Sequence, residues 1–177
     1  KNNETMHDAV KRESKAARES AGILDASTLG KIDIQGVDAS EFLNRVYTNA
    51  WSKLAIGKCR YGLMLNEDGM VYDDGVTTRL DENHYIMTTT TGGAANVLGK
   101  LEDYLQTEWP ELDVYLSSVT DHYATASICG PNSKKILNKI IPDLDLSDEN
   151  FPHMSFKNAK IGSIKCRVMR ISFTGEH

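Results

Sequence analysis

Ten residues, Leu65-Asn66-Glu67-Asp68-Gly69-Met70-Val71-Tyr72-Asp73-Asp74, constrain the fold of this chain more than any other stretch. Asn66 to Gly69 is turn chemistry, with Asp68-Gly69 supplying the position that tolerates positive φ. The strand expected over residues 71–80 opens on two adjacent carboxylates, where a purely structural strand would carry Val or Thr. Side chains alternate faces along a strand, so one of Asp73 and Asp74 must point inward. A buried carboxylate is costly unless it is paired or put to use. The pattern alone fits equally a solvated hairpin in which both acids face water.

The flanking sequence places this hairpin in a larger layout. Thr5-Met6-His7-Asp8 reads as a capping box opening a charged helix to about Ala21, with Gly22 as its stop. Ile23-Leu24-Asp25-Ala26-Ser27 continues into a strand that alternates through Ile32 and Ile34 and breaks at Gly36. Asp38-Ala39-Ser40-Glu41 caps a short helix with Phe42, Leu43 and Val46 on its apolar side. Residues 59–65, 71–80 and 85–90 form an antiparallel meander. Gly92-Gly93 precedes an amphipathic helix over residues 94–108, which Pro110 ends. Residues 114–116 and 124–129 read as strands on either side of a polar turn. Gly130-Pro131-Asn132 introduces a helix that Pro142 terminates, and residues 161–173 alternate as one strand. Hairpin-grouped strands with interspersed helices predict an α+β fold of antiparallel sheets rather than a doubly wound parallel sheet.

Composition removes several function classes. A net charge of −5 over 177 residues argues against a nucleic-acid surface. Cys59, Cys129 and Cys166 are far apart and show no metal-ligand spacing, which suits free thiols in a reducing cytoplasm. The histidines form no i, i+4 pair, so no metal site is expected. No apolar run approaches the roughly 20 residues of a membrane span. The chain stops just past a strand, at Phe173-Thr174-Gly175-Glu176-His177, so we expect a truncated piece of a longer protein, with His177 a candidate tag remnant.

Several blocks carry a resemblance. Ala21-Gly22-Ile23-Leu24-Asp25-Ala26-Ser27 with Ile32-Asp33-Ile34-Gln35-Gly36, Phe42-Leu43-Asn44-Arg45-Val46-Tyr47-Thr48-Asn49, Gly57-Lys58-Cys59-Arg60-Tyr61-Gly62-Leu63-Met64, the Leu65 to Asp74 hairpin, Gly130-Pro131 and Phe173-Thr174-Gly175-Glu176 appear in this order. Together they resemble the folate-binding domain of the aminomethyltransferase (glycine-cleavage T-protein) family. Met87-Thr88-Thr89-Thr90-Thr91-Gly92-Gly93 and Trp109-Pro110 resemble its sarcosine oxidase α-subunit branch. The chain departs from the T-protein pattern at Gly69-Met70, where the family carries two glycines, and at Tyr72, where it carries Ile or Leu.

The resemblance implies that residues 1–177 are the N-terminal part of such a domain, the remainder of the parent chain being absent. It implies tetrahydrofolate as the ligand, Asp73 as the catalytic carboxylate, and Tyr61, Thr88, Thr90 and Glu176 as folate-binding residues. Asp73 should face a cavity, while Asp74 should point the other way, be more exposed and be structural. Bringing a one-carbon unit onto an amine calls for proton removal and stabilisation of positive charge, and a partly desolvated carboxylate suits both. A carboxylate such as Glu176 can accept paired hydrogen bonds from a pterin edge. Read without the family, Glu176 is an exposed turn acid, Tyr61 a half-buried strand aromatic, and Thr88 and Thr90 ordinary strand formers. FAD, FMN and NAD are expected only on other regions of an assembly with further sarcosine oxidase subunits. A stand-alone aminomethyltransferase and a folate-binding module without turnover are the alternatives.

Overall fold

A computed structural model describes residues 3–172. In chain order the elements are α1 (Met6–Glu19), β1 (Gly22–Asp25), β2 (Gly30–Gln35), α2 (Ala39–Val46), β3 (Cys59–Leu65), β4 (Val71–Asp81), β5 (His84–Thr89), α3 (Ala94–Asp103), β6 (Tyr115–Ser118), β7 (Ala126–Cys129), α4 (Ser133–Ile140), β8 (Ser155–Ile161) and β9 (Ile164–Arg170). They divide into two compact units.

One unit comprises Ser27–Ala124 with Met154–Phe156. Its sheet runs β3-β4-β5-β2-β6, and every pairing in it is antiparallel. The expected meander is its centre. One sheet face carries Ile32, Ile34, Met64, Tyr85 and Met87, and against it pack Ala39, Phe42 and Leu43 of α2, Val97 and Leu101 of α3, and Trp51. Each such side chain, taken fully from water, contributes ~1.5–3 kcal/mol. The α3 helix gives way at Tyr104–Glu108 to a π-helical turn, closed by the Trp109 N–H on the Tyr104 carbonyl at 2.8 Å. Trp109 then lies edge-on to Phe42, ring centroids 6.0 Å apart.

The other unit holds α1, the β1–β7 ribbon, α4 and the chain from Lys157. Its helix α1 opens on the expected capping box, with the Asp8 N–H on Thr5 Oγ1 at 3.2 Å. Ile141, Leu146 and Phe151 are buried, and Asp148 pairs with Lys134 and Arg170.

Five local expectations need correction. The alternation leading to Ile34 is two strands in different sheets, β1 and β2, parted by a turn over residues 27–29. The strands β6 and β7 are not partners either, since β6 joins β2 and β7 joins β1. The helix α1 ends at Glu19, ahead of Gly22, which opens β1. Asp38 stands at the N-cap of α2 without capping it, because its carboxylate takes the Asp113 N–H at 2.9 Å. The last strand is a pair, β8 and β9, turning at Gly162 with φ +60°. The polar run Lys157-Asn158-Ala159-Lys160 hid β8 from an apolar-periodicity reading.

Candidate functional site

The Asn66–Gly69 turn closes the β3–β4 hairpin, with Gly69 at φ +79° and its N–H on the Asn66 carbonyl at 2.9 Å. The pairing shifts between Met64 and Leu65, so that Met64 faces Asp73 and Leu65 faces Val71, leaving Tyr72 as the extra residue of a bulge. Beyond it the two acids part company. Asp73 turns to the helix-covered face and is 5 % exposed, while Asp74 is partly exposed on the other face.

The ladder between β4 and β5 runs from Asp81 only as far as Thr77. Across the remaining seam, side chains replace backbone pairing. The Val76 N–H donates to Thr88 Oγ1 at 3.0 Å, and that hydroxyl donates to the Val76 carbonyl at 3.2 Å. Asp73 accepts the Thr90 hydroxyl at 2.6 Å and the Thr90 N–H at 3.2 Å, one on each carboxylate oxygen. Gly93 donates its N–H to Thr90 Oγ1 at 3.1 Å. A Cβ on Gly93 would lie 2.7 Å from both Asp73 Oδ1 and Thr90 Oγ1, so glycine is what lets the turn into α3 close on this pair.

On the opposite face the Tyr61 hydroxyl donates to Asp74 Oδ2 at 2.8 Å. Tyr61 is 49 % exposed, and its phenol is raised above its ordinary pKa, chiefly because the neutral form makes this hydrogen bond. Tyr61 and Asp74 share a face because Tyr61 faces Val76 and Leu63 faces Asp74 across the β3–β4 ladder. The pair is an accessible carboxylate with a fixed orientation.

The structure therefore brings the expected site residues together in two groups. Asp73 and Thr90 form one and lie on the helix side. Tyr61 lies on the other, with Asp74, which had been expected to be structural. Thr88 and Thr90 do not act as a pair on one strand face, because β5 ends at Thr89 and their hydroxyls turn to different partners. Glu176 lies outside the described residues. Asp73 was expected to turn inward to a cavity with Asp74 the more exposed, and the burial of the two acids follows that order. Asp73 is held by Thr90 and lines neither a hollow of about 380 Å³ between Arg45, Asn66, Tyr104 and Trp109 nor one of about 500 Å³ beside Gln35, Asp81 and His84.

Two contributors were not singled out from the sequence. Tyr47, 5 % exposed, has its phenol pushed up by burial, and the negative charges of Asp73 and Asp74 add to the effect. Its only sequence signal is its place in the Phe42 to Asn49 block. Lys100 of α3 sits 4.5 Å over the Tyr72 ring and donates to Asn66 Oδ1 at 3.0 Å. It ties the bulge residue to the turn. Nothing in the helical pattern of α3 marks it out.

Comparison with known proteins follows this geometry closely in fold. Residues 1–177 match the family described as GCVT N-terminal domain. The chain is 55% identical over 174 residues to the sarcosine oxidase subunit alpha of Corynebacterium sp. (strain U-96), a match covering 98% of this chain and 18% of that protein. The counterpart from Rhizobium meliloti (strain 1021) is 52% identical over 97% of this chain and 18% of its own length. An aminomethyltransferase from Exiguobacterium sibiricum is 30% identical over 97% of this chain and 45% of that protein. The chain thus spans less than a fifth of its sarcosine oxidase relatives. Among solved structures, the glycine cleavage system aminomethyltransferase T from Bartonella henselae superposes with a TM-score of 0.79 at 24% identity, over 93% of this chain and 42% of that one. A chain of the heterotetrameric sarcosine oxidase from Corynebacterium sp. U-96, in complex with pyrrole 2-carboxylate, superposes with a TM-score of 0.61 at 12% identity, over 96% and 82%. These two show a shared α+β fold. The chain belongs to the GCVT N-terminal domain family, with relatives among both sarcosine oxidase α subunits and aminomethyltransferases.

Proposed function

We propose that this chain is the tetrahydrofolate-binding part of a sarcosine oxidase α-like subunit. In that role it assists transfer of the one-carbon unit of oxidised sarcosine to tetrahydrofolate, giving 5,10-methylenetetrahydrofolate. The observation that carries the reading is the desolvated Asp73 carboxylate, oriented by the hydroxyl and the N–H of Thr90, with the Tyr61–Asp74 pair on the other strand face. Tetrahydrofolate supplies the two nitrogens that take up the one-carbon unit. Amine N–H groups need acceptors, and the Asp73 and Asp74 carboxylates fit in kind, since neither has its acceptor capacity filled among the described residues. Asp73 keeps the catalytic role that the family pattern implies, accepting the proton released at an amine and stabilising positive charge beside it. Tyr61 holds the neighbouring Asp74 carboxylate in one direction.

Thr88 and Thr90 keep in this reading the folate-side roles that the family pattern implies, with Thr90 also orienting Asp73. Glu176 keeps the role of pterin anchor that the family pattern implies. Amine oxidation, with FAD, FMN and NAD, belongs to other regions of the assembly and to its further subunits. Identity of 55% to sarcosine oxidase α subunits against 30% to an aminomethyltransferase favours this assignment over a stand-alone transferase.

The test uses the full-length protein assembled with its subunits. Asp73→Asn should slow methylenetetrahydrofolate formation by ~10²-fold or more, leaving flavin-dependent amine oxidation intact. Tyr61→Phe should give a smaller loss of the same kind. Equal loss of both activities, or a wild-type protein that forms no folate product, would refute the reading.

A further inference from the structure

We infer that Lys100 is a positioning residue: it pins the bulge at Tyr72, and the place of that bulge decides that Asp73, not Asp74, turns to the helix-covered face. The inference rests on the proposed function for its activity readout and on the pairing of β3 with β4 for the rest. The turn over residues 66–70 closes with Leu65 opposite Val71. Continued without a bulge, that register would set Met64 against Tyr72, Leu63 against Asp73 and Gly62 against Asp74. An offset of one residue exchanges the faces of the side chains, so Asp74 would point inward and Asp73 outward. The extra residue at Tyr72 restores the pairing of Met64 with Asp73.

The bulge has another place to go. Residues 73–76 of β4 pair with β3 but not with β5, and Gly62 and Gly75 stand opposite each other in that stretch. Glycine is a favoured host for the extra residue of a bulge. Moving the bulge from Tyr72 to Gly75 would exchange the faces of the two acids and leave Val76 and the residues after it paired as before. Two sets of contacts oppose the move. Thr90 holds Asp73 itself, by its hydroxyl at 2.6 Å and its N–H at 3.2 Å. Lys100 holds the bulge instead. Its Nζ lies 4.5 Å over the Tyr72 ring and donates to Asn66 Oδ1 at 3.0 Å, so one cation grips the extra residue and the first residue of the turn together. The helix that carries it is anchored by Val97 and Leu101, both fully buried, so Lys100 cannot follow the strand if the bulge moves.

The experiment reads the two acids directly. In the full-length assembly, carboxylates are labelled with a carbodiimide and glycine ethyl ester, and each site is read by tandem mass spectrometry. Wild type should label at Asp74 and be protected at Asp73, which is 5 % exposed. Lys100→Met keeps the stem and removes the charge. Asp73 labelling should then rise by ~10-fold to 10²-fold, the scale of one bond from a charged donor together with one cation–π contact. Amide exchange over residues 61–65 should stay within about threefold of wild type, because the strands re-pair rather than part. Lys100→Arg also sits over an aromatic ring and donates, and it should restore most of the protection. Folate-dependent transfer should fall by about tenfold or more in Lys100→Met, toward the ~10²-fold of a reacting group misplaced by about 1 Å, with amine oxidation unchanged. If Lys100→Met does not fold, Tyr72→Leu and Asn66→Ala each remove one arm of the clamp and serve instead.

Unchanged Asp73 labelling would overturn the inference. An equal rise in labelling and in amide exchange would overturn it too, since that is a frayed hairpin, as would a Lys100→Arg variant no better protected than Lys100→Met. Raised labelling with transfer at the wild-type rate supports the clamp and counts against Asp73 as the reacting carboxylate. Absence of folate turnover in wild type refutes the proposed function instead, and the labelling still decides the role of Lys100.

Discussion

Replacing Gly75 by alanine tests whether the β4–β5 seam is as tight as it looks. A Cβ at this position would lie 1.8 Å from the Thr88 carbonyl oxygen and 2.7 Å from its carbon. Carbon–oxygen contacts settle near 3.3 Å, so the strands must part by about 1.5 Å. The obstacle is backbone, which cannot swing aside like a side-chain tip. Parting breaks both bonds between Thr88 Oγ1 and Val76, each worth ~0.5–1.5 kcal/mol. Overpacking adds ~1–3 kcal/mol. Removing glycine's freedom from the unfolded chain returns ~0.4–1 kcal/mol. The terms span about 1–6 kcal/mol, and the middle of that range is a local loss of about 2–4 kcal/mol.

Amide hydrogen exchange on the full-length protein, followed by mass spectrometry, reads this where it occurs. Peptides spanning residues 71–78 and 85–90 should exchange roughly 30-fold to 800-fold faster. Gly99→Ala is the control. It stands inside α3 with nothing within 4 Å of its Cβ, and it should gain ~0.8–1 kcal/mol from helix propensity. If Gly75→Ala exchanges at the wild-type rate while Gly99→Ala behaves as expected, the seam is loose and the packing argument fails.

Three further outcomes follow from named contacts. Asp74→Asn removes the anion that favours the neutral Tyr61 phenol, so the Tyr61 titration should move to lower pH, and an unmoved titration would mean that the bond does not persist in solution. Trp51 is fully buried and edge-on to Tyr47, with an indole N–H that has no partner among the described residues; Trp51→Ala should cost ~3–5 kcal/mol, whereas Trp51→Phe should recover most of that in urea unfolding. Asp148 is held below its ordinary pKa first by Lys134 and then by Arg170. Its contribution is therefore complete above the ordinary carboxylate pKa and fades as pH falls through the lowered value. The carboxylate is exposed, so Asp148→Asn should have a small effect that 1 M salt removes.

How much of this was legible in the sequence depends on how far apart the causes lie along the chain. The Thr5–Asp8 capping box, the Asn66–Gly69 turn and the three-strand meander are local, and each was read from its own residues. The strands β1 and β2 ran together in the reading because Ile23 and Ile32 look alike, although they belong to different sheets. That difference is settled by β5, β6 and β7, which are far away in sequence. The π-helical turn after α3 was invisible for a related reason. It forms because Trp109 packs on Phe42 and stacks under Arg45, both from α2, and periodicity within α3 carries no trace of that.

The two acids show the same division at the candidate site itself. Alternation forces Asp73 and Asp74 apart, and that much follows from two adjacent residues. Which of them faces the core does not. Counting back from Val76, the apolar residue next along β4, puts Asp74 on the apolar side, whereas the buried side holds Thr77, Gly75 and Asp73. Polar residues can fill that side because the seam needs hydroxyls and a carboxylate to satisfy strand groups that no neighbouring backbone reaches. Asp73 is thus buried for the sake of Thr90 and Gly93, residues that only the folded chain brings beside it. Asp74 is left as the accessible acid because Tyr61 arrives next to it across β3. An acid pair on one strand announces a site, and the residues across its two neighbouring strands decide which member is held in the buried seam and which stays on the open face.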